Sequence, residues 1–155
     1  MKEIHKSVLL QEAVDSLSLK EDSIAVDMTL GFAGHSSEIL KRIKKGYLFA
    51  FDQDSEVFTY SRNRLSAIGD NFELIHANFS EAKDELLKLN VTKVDAILYD
   101  LGVSSYQLDN SERGFSYNND ATLDMRMNRD NPLTAKIVVN TYSESELTRI
   151  FKQYG

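Results

Sequence analysis

The chain predicts an α/β fold built on an open parallel sheet, and three observations carry that reading. Short apolar segments alternate with helix-length amphipathic ones, which implies right-handed strand–helix–strand crossovers. The run Ala25-Val26-Asp27-Met28-Thr29-Leu30-Gly31-Phe32-Ala33-Gly34-His35 passes from a strand pattern through two glycines into the amphipathic Ser36–Ile43. In such a sheet a nucleotide-like ligand sits beyond the strand's carboxyl end. An acid about 20 residues further on can hold its ribose. Asp52 stands there, at the end of Tyr47-Leu48-Phe49-Ala50-Phe51.

In chain order, apolar Val8, Leu9, Ala13, Val14 and Leu17 predict a helix over Ser7–Leu17. Ile24–Met28 reads as strand one and His35–Lys44 as its following helix. Tyr47–Asp52 is strand two, and Ser55–Ile68 a helix. Phe72–His76 is strand three, and Ser80–Leu89 a helix. Val94–Asp100 is strand four. The alternation then stops. Leu101–Pro132 is polar and turn-rich, and a long connection of this kind is often functional. Helical patterns resume at Thr134–Asn140 and Ser143–Tyr154, the second opening on the capping box Ser143-x-x-Glu146. With the usual strand order, strand four is an edge that must be covered or paired, which raises the expectation of a homodimer.

The length fits one domain. No run approaches the roughly 20 apolar residues of a membrane span, and the N-terminus carries no signal-peptide pattern. There is no cysteine, so disulfides and thiolate metal sites are excluded, which fits a cytoplasmic protein. His5, His35 and His76 are too scattered for a zinc site, so no metal is expected. The formal net charge of −6 weighs against broad phosphate contact by this chain.

Several residues have both a chemical and a plain structural reading. The Gly31/Gly34 loop can bring backbone N–H groups to a ligand, or simply close a tight turn. It reads G-x-x-G rather than G-x-G-x-x-G, which favours a smaller, amino-acid-bearing cofactor over a dinucleotide. Asp52 and Asp27 are crevice acids or polar strand ends. Asn78 and Phe79 can bond the edge and cover the face of a purine, or be a cap beside a core aromatic. Asp100 stands closest to where reacting atoms would lie. Ser104 and Ser105 read as turn formers, and His35 as a ligand contact or a helix-entry residue. Arg113, Asp124, Arg126 and Arg129, interleaved with Phe115, Tyr117, Met125 and Met127, are a solvated loop or a base-binding lid.

Assembled in order, these motifs resemble the bacterial small-subunit ribosomal RNA cytosine-N4 methyltransferases. The matching segments are His5-x-Ser-Val-Leu-Leu-x-Glu12, Asp27-x-Thr-Leu-Gly-x-x-Gly-His35, Asp52-Gln-Asp54, Asp100-Leu-Gly-Val-Ser-Ser105 with Gln107-Leu-Asp109, Glu112-Arg-Gly-Phe-Ser116 and Leu123-Asp-Met-Arg-Met127. Phe32 and Ala33 stand where glycine is common in that family, and Tyr106 where proline is usual.

The resemblance implies a Rossmann-like class I methyltransferase fold and S-adenosyl-L-methionine as cofactor. Ala33, Gly34 and His35 would meet its methionine end, Asp52 its ribose and Phe79 its adenine. Asp100 and Gln107 would complete the site, and the Arg/Met motifs would border the cytosine pocket. The family's RNA or assembled small subunit would be the partner. Residues 1–100 would be the N-terminal half of the cofactor domain and 101–155 a substrate-side loop with the start of a helical insert. Family members run to about twice this chain, so the rest of that fold would be missing. Asp100, or a carbonyl in Leu101–Ser105, is the expected acceptor for the amine proton. Two alternatives are a non-catalytic cofactor-binding or dimerising module and an NAD-dependent dehydrogenase.

Overall fold

A computed structural model describes residues 7–155. His5, the first residue of the opening motif, lies outside that range. The chain forms two compact units, one ending at Gly102 and one beginning at Val103.

The first unit holds the sheet. Strands β1 (Ile24–Asp27), β2 (Tyr47–Asp52), β3 (Phe72–His76) and β4 (Ala96–Leu98) are all parallel, in the order β3-β2-β1-β4. Val26 lies between Phe49 of β2 and Ile97 of β4. The two central strands are apolar almost throughout because helices cover both of their faces; Ala25, Val26, Leu48, Ala50 and Phe51 are all fully buried. On one face Val26, Met28, Phe49 and Phe51 pack with Ala82 and Leu86 of α4 (Ala82–Lys88). Alternation along the strands sends Ala25, Leu48 and Ala50 to the other face. There α2 (Gly34–Arg42) lies against β1 and β2 and contacts α1 (Leu10–Ser16) and α3 (Phe58–Ser66). Ile39, Leu40 and Leu65 are buried from these helices.

The boundaries depart from the sequence reading where local bonds override pattern. The first helix begins at Leu10 rather than Ser7, because Leu9 turns left-handed at φ 47° and leaves Val8 and Leu9 exposed. Asp54 caps a 3-10 turn over Ser55–Val57, so α3 itself starts at Phe58. A second 3-10 turn, Phe79–Glu81, precedes α4 in the same way. Strand four is shorter than Val94–Asp100. At its entry the Asp95 carboxylate accepts the Ile24 N–H at 2.7 Å, and at its exit the Thr29 hydroxyl accepts the Asp100 N–H at 2.8 Å. Side chains thus supplement the backbone ladder at both ends, the Asp95 N–H itself donating to the Ile24 carbonyl at 2.8 Å. Among the described residues β4 has a ladder partner only in β1.

The second unit contains α5 (Ser105–Asp109), a 3-10 turn at Ser111–Arg113, α6 (Ala135–Thr141) and α7 (Glu144–Tyr154). The last two fall where their patterns put them, each with an N-cap, Thr134 and Ser143. The stretch read as a polar, turn-rich connection holds α5. Ser104, read as a turn former, is its N-cap, in a capping box closed by Gln107. Arg113, read with the solvated charges, is buried. Its guanidinium donates to the carbonyls of Arg126 and Met127 at 3.0 and 3.2 Å. Among the described residues no helix is long and apolar enough to cross a membrane.

Candidate cofactor crevice

Because the strands are parallel, their carboxyl ends share one edge of the sheet, and the loops leaving them meet there. Asp27, at the end of β1, is fully buried. One carboxylate oxygen accepts the Ser36 hydroxyl at 2.6 Å, the other the Thr29 N–H at 3.0 Å. Burial pushes its carboxyl above the usual aspartate range, and the Ser36 bond opposes that. Asp27 therefore does not face the crevice. It ties the loop to the start of α2.

The glycine loop is held from several sides. Gly31 takes a positive φ of 48°, its N–H donates to Asp52 at 2.8 Å, and its carbonyl accepts the Ser61 hydroxyl at 2.7 Å. Arg64 donates to the Phe32 carbonyl at 3.0 Å, and the Phe32 ring packs edge-on against Tyr60. Ala33 is also left-handed, at φ 58°, a conformation that costs an L-residue energy and is held here by its surroundings. It stands at the N-cap of α2 with no side-chain cap. The first N–H groups of that helix have no bond from the Ala33 side chain and are open to a polar partner from outside the helix. At Gly34 an added Cβ would come within 1.8 Å of the Ser7 hydroxyl oxygen, so a side chain there would force Ser7 to move.

Asp52 leaves β2 with one oxygen on the Gly31 N–H and the other on the Asp54 N–H, the latter at 2.9 Å. Its carboxyl is raised by burial, and these two bonds oppose the shift. Each oxygen retains a further acceptor position, so the pair can still take hydroxyl donors. Asn78, considered above as a purine-edge contact, is instead the cap of its turn. Its carbonyl oxygen accepts the Ser80 N–H, and its amide donates to Gln53 at 3.0 Å. Phe79 stands 39% exposed, with Tyr99 edge-on at 5.7 Å. Tyr99 had no sequence signal beyond its place beside Asp100.

Asp100 follows β4. Its N–H is taken by Thr29, and its carboxylate lies 3.6 Å from Nδ1 of His35. The His35 ring is 5% exposed, and its Nε2 lies 3.1 Å from the Val8 carbonyl. The first unit thus brings Ala33, Gly34, His35, Asp52, Phe79 and Asp100 to one sheet edge. Gln107 belongs to the second unit. It is buried, and its side-chain oxygen accepts the Ser104 N–H at 3.1 Å.

A model of the MraW methylase family matches residues 2–155. A Mycoplasmopsis agalactiae protein named "Ribosomal RNA small subunit methyltransferase H" is 57% identical over 155 residues, covering 100% of this chain and 52% of that protein. A relative of the same name from Exiguobacterium sibiricum is 52% identical over 151 residues, covering 97% and 48%. The chain spans about half the length of these relatives. Among solved structures, an rRNA methylase from Streptococcus thermophilus is 27% identical with a TM-score of 0.50, covering 62% of this chain and 56% of that one.

Proposed function

We infer the function from the premise that the chain belongs to the MraW methylase family. The crevice binds S-adenosylmethionine, and the whole protein methylates N4 of a cytidine in small-subunit ribosomal RNA. One observation carries the cofactor reading: an uncapped helix start, a carboxylate and an exposed aromatic meet along one sheet edge. Each suits one part of that ligand. The helix start suits a carboxylate, Asp52 suits paired hydroxyls, and Phe79 suits an adenine face.

S-adenosylmethionine supplies, when bound, a methyl group already activated on a sulfonium. The protein's work is therefore positioning and electrostatics. Ala33, Gly34 and His35 present the start of α2 to the methionine end. Asp52 holds the ribose, and Phe79 flanks the purine. Asp100 completes the cofactor site and accepts an N–H of the incoming amine, whose lone pair is otherwise drawn into the pyrimidine ring. The target base must leave its stack to be reached. The dehydrogenase alternative falls with the family assignment. A second reading, in which this chain binds the cofactor without turnover, is favoured by the β4 edge, which among the described residues pairs only with β1 and where Ile97 and Tyr99 are 42% and 51% exposed. The same edge is where a homodimer would form.

Calorimetric titration with S-adenosylmethionine, with NAD as control, tests the cofactor. Saturable binding of the first alone, weakened at least about tenfold (~1.4 kcal/mol) in Asp52→Ala, is the expected result. Binding of NAD, or unchanged affinity in the variant, would sink it. Labelled methyl transfer to unmodified small subunits then separates turnover from binding.

A further inference from the structure

We propose that Thr29 and His35 are positioning residues that act through Asp100, Thr29 holding its backbone amide and His35 standing beside its carboxylate. The inference rests on the cofactor reading above. Asp100 needs such support. The ladder of β4 ends at Leu98, whose carbonyl accepts the Met28 N–H at 2.9 Å, and Gly102 follows at φ 142°. The Asp100 side chain is 45% exposed, so an unrestrained carboxylate here would populate several rotamers at an entropic cost on binding.

The first anchor is a chain of hydrogen bonds running down to a fully buried acid. The Asp100 N–H donates to the Thr29 hydroxyl at 2.8 Å, that hydroxyl donates to Asp27 at 3.4 Å, and Ser36 of α2 donates to the other Asp27 oxygen. Thr29 is needed in both senses, as acceptor and as donor. The second anchor is His35. The Val8 carbonyl can only accept, so Nε2 of the buried ring carries a hydrogen. This fixes the ring and turns Nδ1 toward the Asp100 carboxylate at 3.6 Å, a contact that attracts only in the imidazolium form, where Nδ1 carries a hydrogen as well. The imidazole thus spans two protein groups. Its side chain serves Asp100 while the backbone at its position serves the ligand. Thr29 lies in the loop two residues past β1, tied to the buried Asp27, and His35 lies in the first turn of α2, so both anchors are themselves held in place.

A double-mutant cycle read by S-adenosylmethionine titration tests this. Thr29→Val keeps the shape and removes the hydroxyl, and is expected to weaken binding about tenfold (~1.4 kcal/mol). Thr29→Ser should restore it. In an Asp100→Ala background the same Thr29→Val change should cost less than about twofold, and His35→Gln should show the same dependence on Asp100. An equal loss in both backgrounds, or a Ser variant as weak as the Val one, overturns the proposal. Hydrogen exchange at the Asp100 amide in the ligand-free protein supplies a readout free of the cofactor. Protection in the wild type and Thr29→Ser, lost in Thr29→Val, is expected. No wild-type protection overturns the clamp whatever the ligand. Protection without any S-adenosylmethionine binding overturns the cofactor reading, and the positioning role with it.

Discussion

The two units of this chain are held together by different physics. In the first, central strands and covering helices bury a continuous apolar core, with Ala25, Val26, Leu48, Phe51, Ile39 and Leu65 all at 0% exposure. In the second, the buried residues among those described are Gln107 and Arg113, and the order comes from polar bonds. Arg113 gathers the carbonyls of Arg126 and Met127. Asp124 and Arg126 form a two-pronged ion pair, with Nε at 2.9 Å and Nη2 at 2.7 Å, and Arg126 also takes the carbonyls of Arg129 and Asn131. Gly114, at φ 70°, lets this loop close, since a Cβ there would stand 2.5 Å from the Thr122 carbonyl oxygen. Apolar burial secures a scaffold, whereas directional bonds hold one loop shape with its apolar side chains left outside. Met125, for example, is held left-handed at φ 58° and remains 45% exposed.

The contrast can be broken at its strongest point by Phe51→Ala, which empties the middle of the sheet's core. Denaturant unfolding should show a loss of about 3–5 kcal/mol for the first unit. A loss under about 1 kcal/mol would mean that the core is not what secures it. Arg113→Met is the matching change in the second unit. It removes the donors to two carbonyls, for a local loss of about 1–3 kcal/mol. The Met125 amide, which donates to the Arg113 carbonyl at 3.0 Å, should lose exchange protection while the Val26 amide keeps its own. Equal loss in both units would erase the distinction. A smaller effect is expected from Ser143→Ala. Removing the cap of α7 should cost about 1 kcal/mol of local helix stability, visible as fraying at Glu144–Leu147 and nowhere else.

Acid titration sharpens the comparison with the least disturbance. The Arg126 guanidinium holds the Asp124 carboxyl at about 2, so its contribution is complete above the ordinary aspartate value of 3.8 and is lost as pH falls from there toward about 2. Asp27 and Asp52 run the other way. Their folded pKa values lie above 3.8, so their linkage favours the folded state at low pH and declines as pH rises through that raised range. Amides around Asp124 should therefore lose protection first on acidification, ahead of those in β1 and β2. The reverse order would contradict the assignment.

The alternation of strands and helices was legible because a parallel sheet covered on both faces demands apolar runs, and Ala25–Val26 and Leu48–Phe51 supply them. The crevice was legible for a related reason. Glycines and acids at consecutive strand ends must share one edge when all strands are parallel, and Asp52 does meet the Gly31 loop. The caps were less legible. Ser104 and Gln107 have capping-box spacing, but nothing apolar follows at helical period to mark so short a helix. Asn78 has the same spacing to Glu81, yet its place after a strand invited a ligand role instead.

The family, the parallel α/β class and the set of strand-end residues follow from the sequence by itself, since periodicity and motif order are local properties of the chain. Which acid faces the crevice, and which is turned inward to hold the loop, was decided only by the tertiary structure. Asp27 and Asp52 look alike in sequence. One is enclosed by Ser36 and Thr29, while the other stands over the Gly31 amide with acceptor capacity to spare. The same holds for Arg113 and for the His35–Asp100 contact. Burial and hydrogen-bond pairing are set by segments distant in the chain, and no local pattern records them.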